Sequence, residues 1–367
     1  MTTALPIRVP WRQATSALRD GAVKLAELVA TPLVPADYLD LINPLRSGAA
    51  LRGRIVAVEP ETTAAATLVI KPGPGWHRHI AGQYIRVGVD VDGVRQWRAY
   101  SLTSPLDRPD GCITITVKAI PDGVVSNHLV HRARVGTILQ LDQACGEFTL
   151  PETCPAKVLF ITAGSGITPV MGMLRNRDDR LADAVVVHCA PTSNDVIFRA
   201  ELGRLAAHGH IRLVERHTDT DGMLDASTLE QLVPDLAERE TWACGPAGLL
   251  DALEQHFATA GRADRLHTER FRPNVLVTGE GGQVSFAKSG TVLEVDGVTP
   301  LLEAGEAAGV LMPSGCRMGI CFGCVAPLRE GAVRDLRSGD VTTAAAGDGV
   351  LIQTCVSAAA GACDIDL

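Results

Sequence analysis

The sequence predicts a multidomain chain in which an antiparallel β-barrel, an α/β unit with a parallel sheet and a small α+β unit follow one another. Three observations carry this prediction. Alternating strand-like runs fill residues 51–150, a continuous apolar run at Lys157–Ala163 leads into a glycine-rich loop, and four of the ten cysteines form a pattern near the C-terminus. A chain of 367 residues has room for two or three domains of ordinary size.

Composition limits the classes of function. No apolar run approaches the roughly 20 residues that a membrane-spanning helix needs, so we expect a soluble protein. The N-terminus shows no apolar stretch with a cleavage site, which predicts a cytoplasmic location. A net charge of −8 disfavours nucleic acid as a partner. From Glu280 to the end there are eleven acidic and five basic residues. This acidic excess fits either a solvated surface or a surface that steers the protein towards a basic partner.

The first unit is predicted from short alternating runs that are broken by glycine and proline. The runs are Arg52–Val58, Thr67–Lys71, Tyr84–Val89 and Ile113–Lys118. Short antiparallel strands at this spacing indicate a small barrel. The barrel also contains the run Arg98–Thr103, which places an arginine, an aromatic residue and a hydroxyl on one strand. Taken alone, that run is also compatible with ordinary strand alternation.

The second unit is predicted from the apolar run Lys157–Ala163, which is typical of a buried parallel strand. It leads into Gly164–Pro169 and then into a predicted helix at Val170–Arg175. Glycines after a strand, with proline at a helix start, form a loop that brings backbone amides onto a diphosphate. Further strands are predicted at Ala184–Cys189 and at Glu240–Ala243, and a helix is predicted from Ala247.

The third unit is predicted from cysteine spacing. Cys316, Cys321 and Cys324 stand at C-x4-C-x2-C spacing, and Cys355 follows after thirty intervening residues. This is the plant-type spacing for four thiolates around a [2Fe–2S] cluster. Glycines in the loop allow the backbone to approach the inorganic sulfides. The alternative is a four-cysteine zinc site, but zinc ribbons usually pair two C-x2-C knuckles.

The elements around these cysteines are also predicted. Gln283–Lys288 and Gly290–Glu294 indicate a short hairpin, and Leu301–Ala308 indicates a short helix. The order hairpin, helix and cysteine loop resembles the β-grasp ferredoxin fold.

The motif R-x-Y-S at Arg98–Ser101 resembles the flavin signature of the ferredoxin–NADP reductase superfamily. The resemblance implies that Arg98 neutralises flavin phosphates, that Tyr100 lies against the flavin, and that Ser101 hydrogen-bonds flavin N5. A pyrophosphate-binding turn at Gly123–Asn127 favours FAD, although FMN occurs in the superfamily. The implied flavin residues are Gln83, Tyr84, Arg98, Tyr100, Ser101, Leu102, Lys118, Gly123, Val124, Ser126 and Asn127.

The runs A-G-S-G-I-T-P and C-G-P resemble the superfamily's nicotinamide-nucleotide motifs. They imply that Cys244 lies beside the nicotinamide and positions the hydride donor, although a lone buried cysteine is more often inert packing. With Ser101, it completes the predicted catalytic pair. The implied nucleotide residues are Gly164, Ser165, Gly166, Thr168, Pro169, Ser193, Arg199, Cys244, Gly245 and Pro246.

The choice of nucleotide rests on local chemistry. After the strand that ends near Cys189, no acidic residue of the kind that holds an adenosine ribose diol is recognisable. Ser193 and Arg199 would accept a 2′-phosphate instead. We therefore expect NADPH, with NADH as the alternative.

These motifs divide the chain into four predicted segments. Residues 1–48 are expected to form a helical extension, with an amphipathic helix at Trp11–Val29 that packs on the barrel or lies on a membrane surface. Residues 49–152 are assigned to the FAD-binding barrel. Residues 153–272 are assigned to NAD(P)H binding, and 273–367 to the ferredoxin domain.

The module order resembles that of the reductase components of oxygenases and desaturases. It implies electron transfer from NADPH through FAD to the [2Fe–2S] cluster, and then singly to a terminal oxygenase or a membrane acyl desaturase. The flavin stands between the two because nicotinamide gives electrons in pairs and the cluster takes one. The acceptor would be a Rieske-type oxygenase, a P450 or a desaturase, and membrane contact would come only through that partner. A redox sensor is the alternative function.

Overall fold

A computed structural model describes Leu45 and residues 50–121, 123–176, 181–271, 277–315, 317–319 and 322–367. The predicted helix Trp11–Val29 lies outside these residues, and so do Cys316 and Cys321. The described chain forms three sheets, one after another in sequence. Each helix in these ranges is too short or too polar to traverse a lipid bilayer.

The first unit is an antiparallel barrel, as predicted. Its elements are β1 (Arg52–Thr62), β2 (Ala65–Pro72), β3 (Tyr84–Val91), β4 (Val94–Ser101), β5 (Ile113–Lys118), α1 (Val124–His131) and β6 (Ile138–Leu141). The strand order is β4-β3-β6-β1-β2-β5. An antiparallel bridge between Leu102 and Ile115 joins the two ends of this order, so the sheet closes on itself. Branched apolar side chains such as Ile55, Ile85 and Val87 fill its interior.

The second unit is a parallel five-stranded sheet. Its elements are β7 (Lys157–Ala163), α2 (Ile167–Arg175), β8 (Asp183–Ala190), α3 (Arg199–Ala207), β9 (Arg212–His217), α4 (Thr218–Asp221), α5 (Ala226–Leu232), β10 (Glu240–Cys244), α6 (Ala247–Thr259) and β11 (Leu266–Glu269). The order β11-β10-β7-β8-β9 reverses direction between β7 and β10. Alternate residues of β7 enter different cores, because Phe160 packs with Trp242 on one face and Ile161 packs with Leu250 on the other. Ligands bind such sheets at the carboxyl ends of the strands, where the order reverses.

The third unit is a mixed sheet with one helix. Its elements are β12 (Gly282–Phe286), β13 (Thr291–Val295), α7 (Leu301–Ala307), β14 (Val325–Asp335), β15 (Val341–Ala344), β16 (Val350–Gln353) and β17 (Ser357–Ile365). The order is β13-β12-β17-β14-β15, with β16 paired to β14. Phe286 and Leu301 are buried together in its core. The hairpin and the helix lie where the sequence predicted them.

One helix boundary differs from the sequence prediction. Helix α2 begins at Ile167, three residues before the predicted start at Val170. Pro169 therefore occupies the first turn, where a missing N–H breaks no intrahelical hydrogen bond. The nucleotide loop is shorter as a result, and it passes directly into the helix.

The barrel and the parallel sheet are joined at the end of α2. Arg175 Nη1 donates to the Thr103 carbonyl at 2.7 Å, while its Nε and Nη2 donate to both Glu201 carboxylate oxygens at 2.9 and 2.6 Å. The next residue, Asn176, accepts from Leu106 N through Oδ1 at 2.6 Å. The bonds to Thr103 and Leu106 join the α/β unit to the barrel just after the flavin signature, and the Glu201 carboxylate holds Arg175 in place.

Candidate functional site

The strand pair β3–β4 carries the R-x-Y-S motif. Ser101 ends β4 opposite Tyr84, and Tyr100 lies opposite Ile85. The Ser101 hydroxyl is buried and has no hydrogen-bond partner among the described residues. Burial raises the pKa of Tyr100 far above its usual range, so this phenol stays neutral. A buried hydroxyl without a partner costs free energy, and Ser101 Oγ therefore indicates where a bound group would supply one.

Arg98 lies between the barrel and the third unit. Its Nη1 donates to the Trp97 carbonyl at 2.8 Å, and its Nη2 donates to Gln96 Oε1 at 3.1 Å. Burial and, to a smaller extent, the positive charge of Arg317 lower the pKa of Arg98 to about 10, while Glu306 acts in the opposite direction. The guanidinium remains charged at neutral pH. A phosphate bound there would replace the side-chain contact with Gln96.

Three predicted flavin residues make contacts within the barrel itself. Gln83 Oε1 accepts from Ile80 N at 2.9 Å, and its Nε2 donates to the Gly146 carbonyl at 3.4 Å. Leu102 is fully buried, and its N donates to the Gln83 carbonyl at 2.8 Å. Tyr84 packs so closely on Gly146 that a Cβ there would lie 3.0 Å from Tyr84 Cδ1. These side chains shape the barrel mouth, and their contact with a flavin stays a prediction.

The predicted pyrophosphate turn opens helix α1, with Gly123 as its N-cap and Val124 as its first residue. Ser126 Oγ donates to the Gly123 carbonyl at 3.2 Å. Asn127 Nδ2 donates to the carbonyls of Ile120 and Gly123, each at 2.9 Å. The two side chains hold the turn closed, and the first-turn amides of a helix are natural donors to a phosphate.

The glycine loop after β7 interlocks with the end of β10. Gly164 has a positive φ of 54°, which a residue with a side chain rarely adopts. At Gly166 a Cβ would lie 2.0 Å from the Cys244 carbonyl oxygen. Thr168 Oγ1 donates to the Ser165 carbonyl at 2.9 Å and fastens the loop to α2. The loop and the C-G-P turn therefore form one rigid surface where the strand order reverses.

The remaining motif residues occupy helix starts. Pro169 is buried in the first turn of α2, and Pro246 is the N-cap of α6. At Gly245 a Cβ would lie 3.2 Å from both Ala163 Cβ and Leu249 Cδ2. A side chain at position 245 would therefore be in tight contact with Ala163 and Leu249.

Cys244 is completely buried at the carboxyl end of β10. Burial raises the pKa of its thiol well above the usual value, and the nearby Glu269 raises it further. The thiol is therefore protonated at neutral pH and is poorly suited to nucleophilic attack. This agrees with the predicted positioning role, which itself remains untested.

Sequence reasoning missed Glu269. This residue ends β11 directly beside Cys244 in the parallel register. Burial raises the pKa of its carboxyl to about 8, and Oε2 is buried without a hydrogen-bond partner among the described residues. The only sequence signal is an acidic residue at the end of a weak strand. Its burial depends on neighbours that are distant in sequence.

The predicted 2′-phosphate residues lie beyond β8. Thr192 N and Oγ1 both donate to Asp195, at 3.1 and 2.6 Å, which forms a capping box around Ser193. The Asp195 carboxylate is thus engaged locally by Thr192. Arg199 is about half exposed (55%), and its Nε lies 4.0 Å from Glu215 Oε2. Within the described residues its only ion pair is therefore this long one with Glu215.

Two of the four predicted cluster ligands, Cys324 and Cys355, lie within the described residues. Both are buried, at 1% and 3% exposure. A hydrogen bond with Cys355 lowers the pKa of Cys324 to about 6. Thr354 Oγ1 donates to the Cys324 carbonyl at 2.9 Å, which ties the two cysteine segments together. A thiol that deprotonates readily is suited to bind iron.

The loop between the cysteines is held from two sides. The Gly319 carbonyl accepts from Gln353 Nε2 at 2.9 Å and from Arg337 Nη1 at 3.1 Å. Arg317 pairs with Glu306 of α7. Cys355 follows Gln353 by two residues, so these bonds bring the loop to the fourth predicted ligand.

The residues fit the three groups that the motifs imply. The unpartnered Ser101 hydroxyl suits a flavin. The glycine loop, which has no room for a β-carbon at Gly166, suits the nucleotide. The paired thiols Cys324 and Cys355 suit iron. When bound, these groups supply hydride acceptance and one-electron transfer, and the chain's own residues supply binding and orientation. A closed antiparallel barrel, a parallel sheet with a glycine loop and a β-grasp unit in this order define a modular flavin reductase.

Comparison with known proteins agrees with this class. The Oxidoreductase FAD-binding domain family matches residues 76–150, the Oxidoreductase NAD-binding domain family matches 160–255, and the 2Fe-2S iron-sulfur cluster binding domain family matches 286–360. An NADPH oxidoreductase of Mycobacterium tuberculosis is 50% identical, over 94% of this chain and 91% of the relative. The chain belongs to the ferredoxin–NADP reductase superfamily, among the flavoproteins with a C-terminal [2Fe–2S] ferredoxin domain. It is an electron-transfer reductase that uses FAD, a pyridine nucleotide and a [2Fe–2S] cluster.

Two further similarities are informative. The glycine betaine monooxygenase reductase subunit of Chromohalobacter salexigens is 30% identical, over 75% of this chain and 83% of the relative. The structure of phthalate dioxygenase reductase superposes with a TM-score of 0.60 at 22% identity, covering 87% of this chain and 98% of that one. The second similarity concerns the fold alone.

Proposed function

We propose that this reductase takes electrons from NADPH and delivers them, through FAD and its own cluster, to a terminal oxygenase. The relatives support the oxygenase, since one is named as a reductase subunit of a monooxygenase. None of the relatives reported above is named for a desaturase. Electron transfer within the chain does not depend on which acceptor follows.

The observation that carries the electron path is the contact between Gly166 and Cys244. It brings the nucleotide loop and the C-G-P turn together at the edge that faces the barrel. We propose that Cys244 positions the nicotinamide there and that Ser101 hydrogen-bonds the flavin. Arg98 and the turn at Gly123–Asn127 would hold the flavin phosphates. Cys316 and Cys321 would complete the ligand set with Cys324 and Cys355.

Charge in the third unit supports a basic partner. Between Glu280 and the C-terminus, all five basic residues form ion pairs with carboxylates of the same unit. Six of the eleven acids in this part of the sequence therefore have no basic partner within it. The unpaired carboxylates favour an acceptor that presents a basic surface, and they speed its approach at low ionic strength.

The preference for NADPH is part of the proposal. Asp195 is occupied by Thr192, while Ser193 and the half-exposed Arg199 remain for a 2′-phosphate. The NADPH oxidoreductase relative supports the same choice. We also propose domain boundaries near residues 152 and 272, since both positions fall between sheets.

The test uses the purified holoprotein with three purified acceptors: a Rieske-type oxygenase, a cytochrome P450 and an acyl desaturase. We expect NADPH to support faster flavin reduction than NADH, and we expect substrate-dependent NADPH oxidation with an oxygenase. Turnover with the desaturase alone would contradict the acceptor proposal. Cytochrome c serves as a general acceptor, and slow reduction of it by NADPH would favour a redox sensor.

A further inference from the structure

Phe322 is an exposed aromatic residue within the cysteine loop of the third unit. It directly follows the predicted ligand Cys321 and precedes Cys324 by two residues. It is 67% exposed, and its φ of 55° lies in the left-handed region that a bulky side chain rarely adopts. Neither an exposed ring nor a strained backbone stabilises this unit. Such a residue indicates a role in contact with another molecule.

The turn after Phe322 leads directly into β14. Val325 N donates to the Phe322 carbonyl at 3.3 Å. Along β14, Val325 and Pro327 alternate with the buried residues Ala326 and Leu328. Because successive side chains of a strand lie on opposite faces, Val325 and Pro327 share the outer face of the sheet. The apolar surface therefore continues from Phe322 along this strand.

Strand β16 extends the same surface. Leu351 pairs with Pro327 in antiparallel register and is 64% exposed, whereas the next residue, Ile352, is buried. Leu351 thus lies on the outer face beside Pro327. Phe322, Val325, Pro327 and Leu351 together form what we call the apolar strip. A single exposed apolar residue is ordinary, but a strip that joins a loop and two strands indicates a binding surface.

The two ends of the cysteine loop have different surroundings. Arg317, which follows the predicted ligand Cys316, pairs with Glu306 of α7. Arg317 is also near the barrel, since its charge is the largest contribution after burial to the lowered pKa of Arg98. Phe322, near the other end of the loop, is in solvent. The loop therefore has one side towards the proposed flavin site and one side towards other molecules.

The strip ends at two exposed carboxylates. Glu330 follows it on β14, and Asp348 lies in the turn before β16. Within the described ranges neither carboxylate forms an ion pair, and the adjacent base on β14, Arg329, is already paired with Asp364. Protein interfaces commonly combine an apolar centre with a polar rim, and the sign of the rim selects the partner. An acidic rim selects a basic partner.

We propose that the apolar strip is the docking contact for the electron acceptor, and that electrons leave the chain on this side of the cysteine loop. The occupant is a redox protein whose docking face is apolar at its centre and basic at its rim. Phe322 is the anchor, because aromatic residues in an interface carry much of the binding energy. In each encounter one electron supplied by NADPH passes from the cluster to the acceptor, and no bond forms or breaks. The inference rests on the proposed electron path and adds the surface that binds the acceptor.

The test compares the holoprotein with Phe322→Asn, because asparagine tolerates a positive φ and lacks the aromatic ring. Four acceptors are available: the three purified proteins named above and cytochrome c. The one used is the acceptor that the unchanged holoprotein reduces fastest in a cluster-dependent reaction, defined as a reaction lost in Cys355→Ser. Isothermal titration calorimetry measures the Kd between the two oxidised proteins, and steady-state kinetics give KM and kcat.

We expect both Kd and KM to rise about 10-fold in Phe322→Asn, as for the loss of an aromatic anchor. The kcat and the stopped-flow rate of cluster reduction by NADPH should stay unchanged, because the path inside the chain is intact. Leu351→Thr should raise Kd by about 3-fold, since it removes a smaller apolar contact. Val292→Thr is the matched control and should change nothing, because Val292 is 56% exposed on the distant edge strand β13.

Several results would overturn the proposal. Unchanged Kd and KM in Phe322→Asn would show that the acceptor docks elsewhere. Slower cluster reduction at an unchanged Kd would assign Phe322 to the path from the flavin. A Kd that falls as ionic strength rises would exclude a basic partner. Dimers of the unchanged protein that Phe322→Asn separates in analytical ultracentrifugation would assign the strip to a second copy of this chain.

A loss of the cluster in Phe322→Asn would leave Leu351→Thr to decide by the same criteria, because position 351 is outside the cysteine loop. Failure here is distinct from failure of the proposed function. A desaturase as the only acceptor would contradict the oxygenase proposal, yet the strip is then tested with that desaturase. If no acceptor is reduced in a cluster-dependent reaction, the strip is not the exit for electrons, whereas flavin reduction by NADPH is unaffected.

Discussion

Gly166 and the Cys244 carbonyl oxygen are so close that a β-carbon at position 166 would lie 2.0 Å from that oxygen. Gly166 lies in the turn that follows β7, and Cys244 ends β10, at the point where the strand order of the parallel sheet reverses. Their contact aligns the glycine loop with the C-G-P turn. The geometry of the proposed hydride-transfer site therefore depends on the absence of a single side chain.

Gly166→Ala should disturb this contact. The added methyl group forces the two segments apart, and overpacking of this kind costs about 1–3 kcal/mol. We expect a lower urea midpoint and weaker NADP⁺ binding by calorimetry. Gly248→Ala is the control, because position 248 lies in α6 and a Cβ there meets no atom within 4 Å. Equal behaviour of the two variants would contradict the argument.

Ser101→Ala should slow flavin reduction by about 10- to 100-fold, on the order of one lost hydrogen bond to the reacting group. Stability should change little, because Ser101 Oγ makes no hydrogen bond within the described residues. Stopped-flow reduction by NADPH measures the rate. Ser104→Ala removes another buried and unpartnered hydroxyl, and it should leave the rate near that of the unchanged protein. The role of Ser101 would be refuted by equal rates in all three proteins.

Glu269 should make stability depend on pH. Its pKa is raised by burial from 4.5 to about 8, so the folded state holds a proton that the unfolded state has lost. The resulting stabilisation is complete below pH 4.5 and is lost as pH rises through about 8. Urea unfolding at several pH values measures the free energy of unfolding. Relative to that of Glu269→Gln, the free energy of unfolding of the unchanged protein should fall by about 1.4 kcal/mol per pH unit between pH 4.5 and about 8. A constant difference between the two proteins would exclude a buried, protonated carboxyl.

Cys355→Ser should abolish the visible absorption and iron content of the cluster, because a plant-type cluster needs four thiolates. Flavin reduction by NADPH should persist, since the proposed flavin and nucleotide residues belong to the other two units. Cys363→Ser is the matched control, as Cys363 is also buried in the third unit but lies outside the motif. Retention of the cluster in Cys355→Ser would refute the ligand assignment. Loss of flavin reduction would show that the modules are not independent.

Arg175→Met should loosen the junction between the barrel and the α/β unit. It removes two bonds to Glu201 and one to the Thr103 carbonyl, and a hydrogen bond to a charged group contributes a net of about 1.5–3 kcal/mol. We expect a lower unfolding midpoint and slower flavin reduction. Arg78→Met removes a pair with side chains 64% and 88% exposed, and it should have almost no effect on stability. A similar fall of the unfolding midpoint in both variants would contradict the role of Arg175 in joining the barrel to the α/β unit.

Local chemistry determined much of the fold in advance. The apolar run of β7, the glycine loop and the hairpin before α7 are each recognisable from a few neighbouring residues, because strand period and turn preference are local properties. Three of the four cysteines lie in one short loop, and their spacing, with Cys355 further along the chain, predicted the cluster domain that the family match confirms. The sequence could not place the start of α2, since that boundary depends on how Thr168 and Pro169 pack.

The sequence by itself thus determined which modules this protein has, their order and their cofactors. Only the tertiary structure decided which side chains meet across them. Burial beside β10 raises the pKa of the Glu269 carboxyl, and Lys118 of the barrel lies next to Gly164 of the α/β unit. Burial, pKa and contact between modules depend on residues that are far apart in sequence. A local sequence pattern does not show which of these residues become neighbours in the fold.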